Sequence, residues 1–282
     1  MEKKTIKKND IYTIEIEDLS TDGSGIGKVD GYTLFVKDAL IGDTAEVKVI
    51  KTKKHYGYGR LMRIITPSSD RVEAPCPHAR SCGGCQIQQM YYERQLTFKE
   101  NKVCNNLRRL GGLDLSAMEV EPICGMEEPF HYRNKAQFPI GRDKNGKIIA
   151  GFYAGRTHSI IANTDCLLGA EENEAILNEV ISWMEVCKVE PYDEKTGKGL
   201  VRHVLIRKGF TTKELMVCLV INGRKIPQVE KLVDRLQKIE GVTQLFQQDK
   251  SLVTVLLDEM IAKFGEGVRL VKVWRGPNYN SP

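Results

Sequence analysis

Cys76, Cys82 and Cys85 fall in one short loop, Pro75-Cys-Pro-His-Ala-Arg-Ser-Cys-Gly-Gly-Cys85, and this C-x5-C-x2-C spacing constrains the chain more than any other feature. Sulfur ligands this close in sequence can converge on a metal without help from distant elements. Pro75 and Pro77 stiffen the entry, while Gly83 and Gly84 permit the positive φ and close backbone approach that wrapping a small centre requires. A fourth ligand must come from elsewhere. Zinc and an iron-sulfur cluster both accept four thiolates, so the spacing leaves the metal open.

The competing reading is ordinary thiols or a disulfide pair. Eight cysteines in 282 residues are too sparse for a disulfide scaffold. The N-terminus, Met1-Glu-Lys-Lys-Thr-Ile-Lys-Lys8, has no apolar core of a signal peptide, so a reducing cytoplasm is the expected compartment. There the loop reads as a ligand set. Cys104 and Cys187 fall in expected helices and Cys218 inside an apolar strand, where a thiol serves as a small hydrophobe. Cys166 leaves a strand through polar Asn163-Thr-Asp165 and precedes an acidic helix start, which makes it the preferred fourth ligand, with Cys124 in reserve.

The net charge of +5 does not demand a polyanionic partner, but its distribution is uneven. Lys51, Lys53, Lys54, Arg60 and Arg63 occur without an acidic residue between them, interleaved with His55, Tyr56 and Tyr58. Cations beside flat rings suit a phosphate backbone with stacked, unpaired bases. A solvated strand face explains the same residues equally well. Further basic groups stand at Arg133 and Lys135, flanking Asn134.

The spacing predicts short strands over 11–17, 32–36, 45–50 and 57–65, with turn chemistry at Asp22-Gly23, Asp30-Gly31 and Gly42-Asp43. So many edges in so few residues favour closure into a small OB-like β-barrel of the kind that binds oligonucleotides. Gly23-Ser-Gly-Ile-Gly27 imitates a nucleotide loop, yet Lys28-Val-Asp-Gly31 follows at once and no helix can start there, so these glycines read as a hairpin turn. Beyond a boundary at 66, helices are expected over 86–110, 170–187 and 227–239, and strands over 136–140, 148–153, 201–207, 215–221, 243–247 and 253–257. The fold class is therefore α+β: a barrel over 1–66, then a mixed α/β domain over 67–282 that carries the cysteine loop.

On these residues the chain resembles the N-terminal two thirds of the bacterial RNA (uracil-5-)-methyltransferases, in particular the 23S ribosomal RNA group that begins with a TRAM domain. The matching segments are Gly25-Ile-Gly-Lys-Val-Asp-Gly31 with Leu34-Phe-Val36; Cys76 through Gln86, then Tyr92-Glu-Arg-Gln-Leu96 and Lys99; His131-Tyr-Arg-Asn-Lys-Ala136; Gly151 through His158 leading to Cys166; and Val201-Arg-His-Val204. The resemblance implies a [4Fe-4S] cluster held by Cys76, Cys82, Cys85 and Cys166, of structural rather than catalytic use. RNA contacts are expected from Lys53, Lys54, His55, Tyr56 and Arg60 on the barrel and from Arg133, Asn134 and Lys135 beside the cluster. It further implies a monomer that acts on 23S ribosomal RNA, with neither a membrane nor DNA as partner.

Family enzymes methylate C5 of a uridine: a cysteine adds to C6 of the extruded base and S-adenosylmethionine supplies the methyl group. Here the sequence departs from the family. No glycine motif for S-adenosylmethionine and no catalytic cysteine in the expected context is found before Pro282. Catalytic and cofactor-binding residues are thus expected to be none, the segment from 249 onward is unmatched, and the chain is read as a portion truncated before its catalytic domain, inactive alone. The competing reading is a stand-alone iron-sulfur RNA-binding module. A redox or radical enzyme of the methylthiotransferase kind fits less well, because those carry C-x3-C-x2-C and place TRAM last.

Overall fold

The computed structural model describes residues 6–155, 157–249 and 269–272. The chain divides into two compact units, residues 1–127 and 128–282.

In the first unit, strands β1 (Ile11–Leu19), β2 (Gly25–Val29), β3 (Tyr32–Val36), β4 (Thr44–Thr52) and β5 (Tyr56–Thr66) close into a barrel of order β1-β2-β3-β5-β4. Closure needs β3 and β5 to run parallel, which they do with Phe35 opposite Tyr58. Ile14, Ile16, Leu34, Val36, Val47 and Val49 fill the interior, each alternating with an outward residue as the pleat requires. At Gly59, a Cβ would stand 2.2 Å from Val47 Cγ1, so only glycine lets β5 lie this close to β4. The glycine run is placed differently from the hairpin turn that its spacing predicts. Only Gly23, with φ of 78°, serves the turn; Gly25 and Gly27 belong to β2, and a Cβ on Gly27 would meet the Glu15 carbonyl oxygen at 2.6 Å.

A buried carboxylate ties the barrel to the segment that leaves β5. Asp43, with no exposed surface, accepts hydrogen bonds from Leu40 N–H at 2.7 Å and Ser68 N–H at 2.9 Å, and pairs with Arg71 through Nε at 3.0 Å and NH2 at 2.5 Å. Burial pushes its pKa up, but the Arg71, Ser68 and Leu40 donors outweigh that and hold the carboxyl below the usual range.

Helix α1 (Tyr92–Arg109) starts six residues later than the pattern predicts. Arg71 bridges Met90, and Ile87 and Met90 pack with Leu19 and Leu40 at the barrel's end, so the apolar residues expected to begin the helix serve a turn instead. No residue of α1 is buried; Val103 and Leu110 are exposed.

Among the described residues the second unit forms a seven-stranded mixed sheet from β6 (Lys135–Arg142), β7 (Ile148–Tyr153), β8 (Ile160–Ala162), β9 (Val201–Lys208), β10 (Leu215–Ile221), β11 (Val242–Asp249) and β12 (Arg269–Lys272) in the order β12-β11-β10-β9-β6-β7-β8. β8 is the strand ahead of Asn163 that Cys166 is read to leave, β12 is an addition to the strands read from sequence, and the expected strand over 253–257 lies outside the described residues. Two helices, α2 (Glu172–Val186) and α3 (Val229–Leu236), join one core with this sheet. Ile176, Leu177, Val180 and Met184 are buried in α2, as their spacing predicts, together with Trp183, whose indole N–H donates to the Gln228 carbonyl at 3.2 Å. β10 and β11 are parallel, with α3 as the crossover between them.

Candidate nucleic-acid interface and cysteine loop

On the barrel, the residues at 53–60 gather on one outward surface. β4 and β5 are joined by Lys53, Lys54 and His55, all exposed, and Tyr56, Tyr58 and Arg60 follow at alternate positions. Tyr32 fixes this hairpin from β3. Its hydroxyl shares its one proton between the Lys53 carbonyl, at 2.8 Å, and the Tyr56 carbonyl, and it accepts from Lys53 N–H at 3.1 Å. The parallel pairing of β3 and β5 adds a ring that sequence order conceals: Phe35 stands 5.6 Å from Tyr56 and 5.9 Å from Tyr58, and the two tyrosines are 5.8 Å apart. Lys51 lies opposite Tyr58 and Lys48 opposite Arg60. Three rings in mutual contact, bordered by cations, make a platform on which unpaired bases can stack while their phosphates meet charge.

The cysteine loop is pinched shut at its base. Val72 N–H donates to the Gln89 carbonyl at 2.9 Å, Tyr91 N–H to the Asp70 carbonyl at 2.9 Å, and Arg94 pairs with Asp70 at 2.7 Å. Gln86 and Ile87 lie against Gly23, and Lys37 Nζ donates to the Arg80 carbonyl at 3.3 Å. Within the loop, Cys82 is buried and Cys76 and Cys85 are half-buried. Amide donors point at two of the sulfurs: Gly84 N–H to Cys82 Sγ at 3.4 Å and the Gln88 amide to Cys85 Sγ at 3.5 Å. Such donors stabilise negative sulfur, and soft thiolates are the donor set that an iron-sulfur cluster takes. By that chemistry the residues fit the group. Among the described residues, however, no three His, Cys, Asp or Glu side chains converge as a metal site would.

Cys166 belongs to the second unit, half-buried at the start of a turn closed by Gly169 N–H on its carbonyl at 2.8 Å. The segment expected to touch RNA is laced to that turn: His131 N–H donates to Leu167 O at 2.8 Å, Arg133 N–H to Leu168 O at 2.9 Å, and His131 Nδ1 lies 2.8 Å from Gly169 O. Arg133 is half-buried there, whereas Asn134 and Lys135 are exposed. Cys124 is exposed and Cys218 buried, its thiol pushed up to about 11 by desolvation, as suits an inert packing residue.

Residues 7–62 match the TRAM domain. Proteins named uncharacterized RNA methyltransferases are similar over most of this chain. One from Clostridium tetani is 44% identical over 264 residues, 93% of this chain and 56% of the relative; another from Halalkalibacterium halodurans is 44% identical over 233 residues, 83% and 50% of the two. The chain thus spans about half the length of the curated relatives it matches. Among solved structures, the Pyrococcus abyssi tRNA (uracil-54, C5)-methyltransferase in complex with S-adenosyl-L-homocysteine superposes with a TM-score of 0.54 at 23% identity, over 78% of this chain and 48% of that one. At that identity the likeness is one of fold. No helix among the described residues is long and apolar enough to cross a membrane.

Proposed function

We propose that this chain is the RNA-holding and cluster-bearing part of an S-adenosylmethionine-dependent RNA (uracil-C5)-methyltransferase that works on 23S ribosomal RNA. The observation that carries the reading is the ring platform of Phe35, Tyr56 and Tyr58 set among Lys51, Lys53, Lys54 and Arg60, on a barrel matched by the TRAM domain. Relatives named RNA methyltransferases and the fold of a uracil-C5 enzyme support the reaction class. S-adenosylmethionine supplies the methyl group in that chemistry. Gly25 and Gly27 lead along a strand, not into a helix N-terminus, so these glycines are not assigned to S-adenosylmethionine.

Cys76, Cys82, Cys85 and Cys166 are assigned as ligands of a [4Fe-4S] cluster. Arg133, Asn134 and Lys135, laced to the Cys166 turn, are assigned to the RNA beside it. Anaerobic purification with iron and sulfide analysis tests the cluster. About four irons per chain with a brown chromophore is expected from this cluster type, bleached in Cys82→Ser. Iron-free protein with an intact fold would refute the assignment. For RNA, binding to a 23S fragment should weaken steeply with salt; affinity indifferent to salt would exclude phosphate contact by the lysines.

A further inference from the structure

The second unit holds a cleft of about 470 Å³ to which neither RNA gripping nor cluster binding assigns a role. Tyr153 of β7 and Arg202 and His203 of β9 line it, together with residues between Glu190 and Gly199. Tyr153 Oη lies 3.5 Å from His203 Nε2, and the Tyr153 ring stands 5.4 Å from His158. Burial, aided by Glu194 and opposed by Arg202, raises the Tyr153 pKa, so its hydroxyl stays a donor at neutral pH. Arg202 is only 8% exposed; its guanidinium lies 4.0 Å over the Tyr192 ring and pairs with Glu194 at 3.0 Å.

Charge decides what such a cleft can hold. Arg142, Lys198 and Arg202 are matched by Glu190, Asp193 and Glu194, and Arg142 is paired with Glu190 at 2.6 Å. A lining that balances in this way gives a phosphate no net attraction. What it offers is flat surfaces, from Tyr153 and the stacked Arg202 and Tyr192, beside a carboxylate acceptor and guanidinium and phenol donors. That combination complements a neutral planar ring with donors and acceptors along its edge, and the volume lies in the range of small-ligand pockets.

We propose that this cleft receives one unpaired nucleobase, stacked beside Tyr153 and hydrogen-bonded by Arg202 and Glu194. That the base belongs to a bound RNA rests on the proposed RNA-holding function; that the cleft takes a base does not.

The test is a set of titrations of the isotope-labelled full chain with GMP, AMP, CMP and UMP, followed by amide NMR, with ribose 5-phosphate as control. At least one nucleotide is expected to shift the Gly141, Tyr153, Arg202 and His203 amides to saturation, and ribose 5-phosphate none of them. Tyr153→Leu should weaken that binding about tenfold, and Tyr153→Phe, which keeps the ring, should recover most of it. Silence of these amides with all four nucleotides overturns the inference, as does an equal response to ribose 5-phosphate, which would make the cleft a phosphate site. The two readings fail separately. Nucleotide binding in the cleft without any RNA affinity would sink the RNA reading alone, and RNA binding through the barrel with a silent cleft would sink this one.

Discussion

The barrel and the second unit both bring aromatic rings to the surface, but they surround them with opposite electrostatics. Around Phe35, Tyr56 and Tyr58 stand lysines and an arginine; around Tyr153 and Tyr192 each cation has a carboxylate to match. The first arrangement suits a backbone whose position along the strand is unimportant, because every phosphate looks alike. The second suits an edge whose donors and acceptors matter. Internally the units differ as well. The barrel's end is joined to the cysteine loop through the buried Asp43–Arg71 pair, whereas the second unit's core gathers apolar side chains around Trp183, with Asn173 of the same helix buried as well.

That contrast can be broken most severely at Asp43. Asp43→Ala leaves Arg71 without its carboxylate and is expected to cost about 3–5 kcal/mol, read as a loss of thermal stability with the cysteine loop becoming protease-sensitive. Trp183→Ala should cost a similar ~3–5 kcal/mol but in the other unit, leaving the loop protected. Limited proteolysis of the two variants separates them; identical cleavage patterns would mean that the two units do not unfold independently. Acid sharpens the same difference. Because the folded Asp43 pKa is depressed, its stabilisation is complete above the unfolded carboxylate value of about 3.9 and is lost as pH falls through the lower folded value. The acid limb of the stability curve should therefore flatten in Asp43→Asn; an unchanged limb would place the acid sensitivity elsewhere.

Smaller effects address the surfaces. Tyr56, 38% exposed, should lose about 1–3 kcal/mol of RNA binding on replacement by Leu, measured by fluorescence anisotropy. Replacing Lys53 and Lys54 by Ala should lower the slope of log affinity against log salt by about 1.4 for single-stranded RNA, while Tyr153→Leu should leave that slope unaltered. A salt slope that responds to Tyr153 would erase the distinction between the two surfaces. Least of all, Lys28→Ala, which removes an ion pair half open to solvent, should change stability by less than about 1 kcal/mol in thermal melts.

Local pattern carried much of the fold. Alternation in β1 and β4, the apolar run of β3 and the apolar stripes of α2 and α3 were legible, since each records which part of an element meets the core. The start of α1 was not, because Ile87 and Met90 have helical spacing but are claimed by Leu19 and Leu40, far off in sequence. β2 misled for a related reason: Gly25 and Gly27 look like turn residues, and their lack of a side chain is instead required by the neighbouring strand and loop backbones. In the candidate sites, Lys53, Lys54, His55, Tyr56 and Arg60 stood out by adjacency. Phe35 did not, and neither did the cleft of Tyr153, Arg202 and His203, whose members come from two strands about fifty residues apart.

The order of residues determined that this chain would make a small closed barrel and a helix-covered sheet, since periodicity and turn chemistry act over a few neighbouring positions. Only tertiary structure decided that Phe35 joins the tyrosine pair, that Asp43 is sealed beneath Arg71, and that a charge-balanced cleft opens beside Tyr153. These depend on strand pairing across long separations, where register, not local preference, chooses which side chains meet.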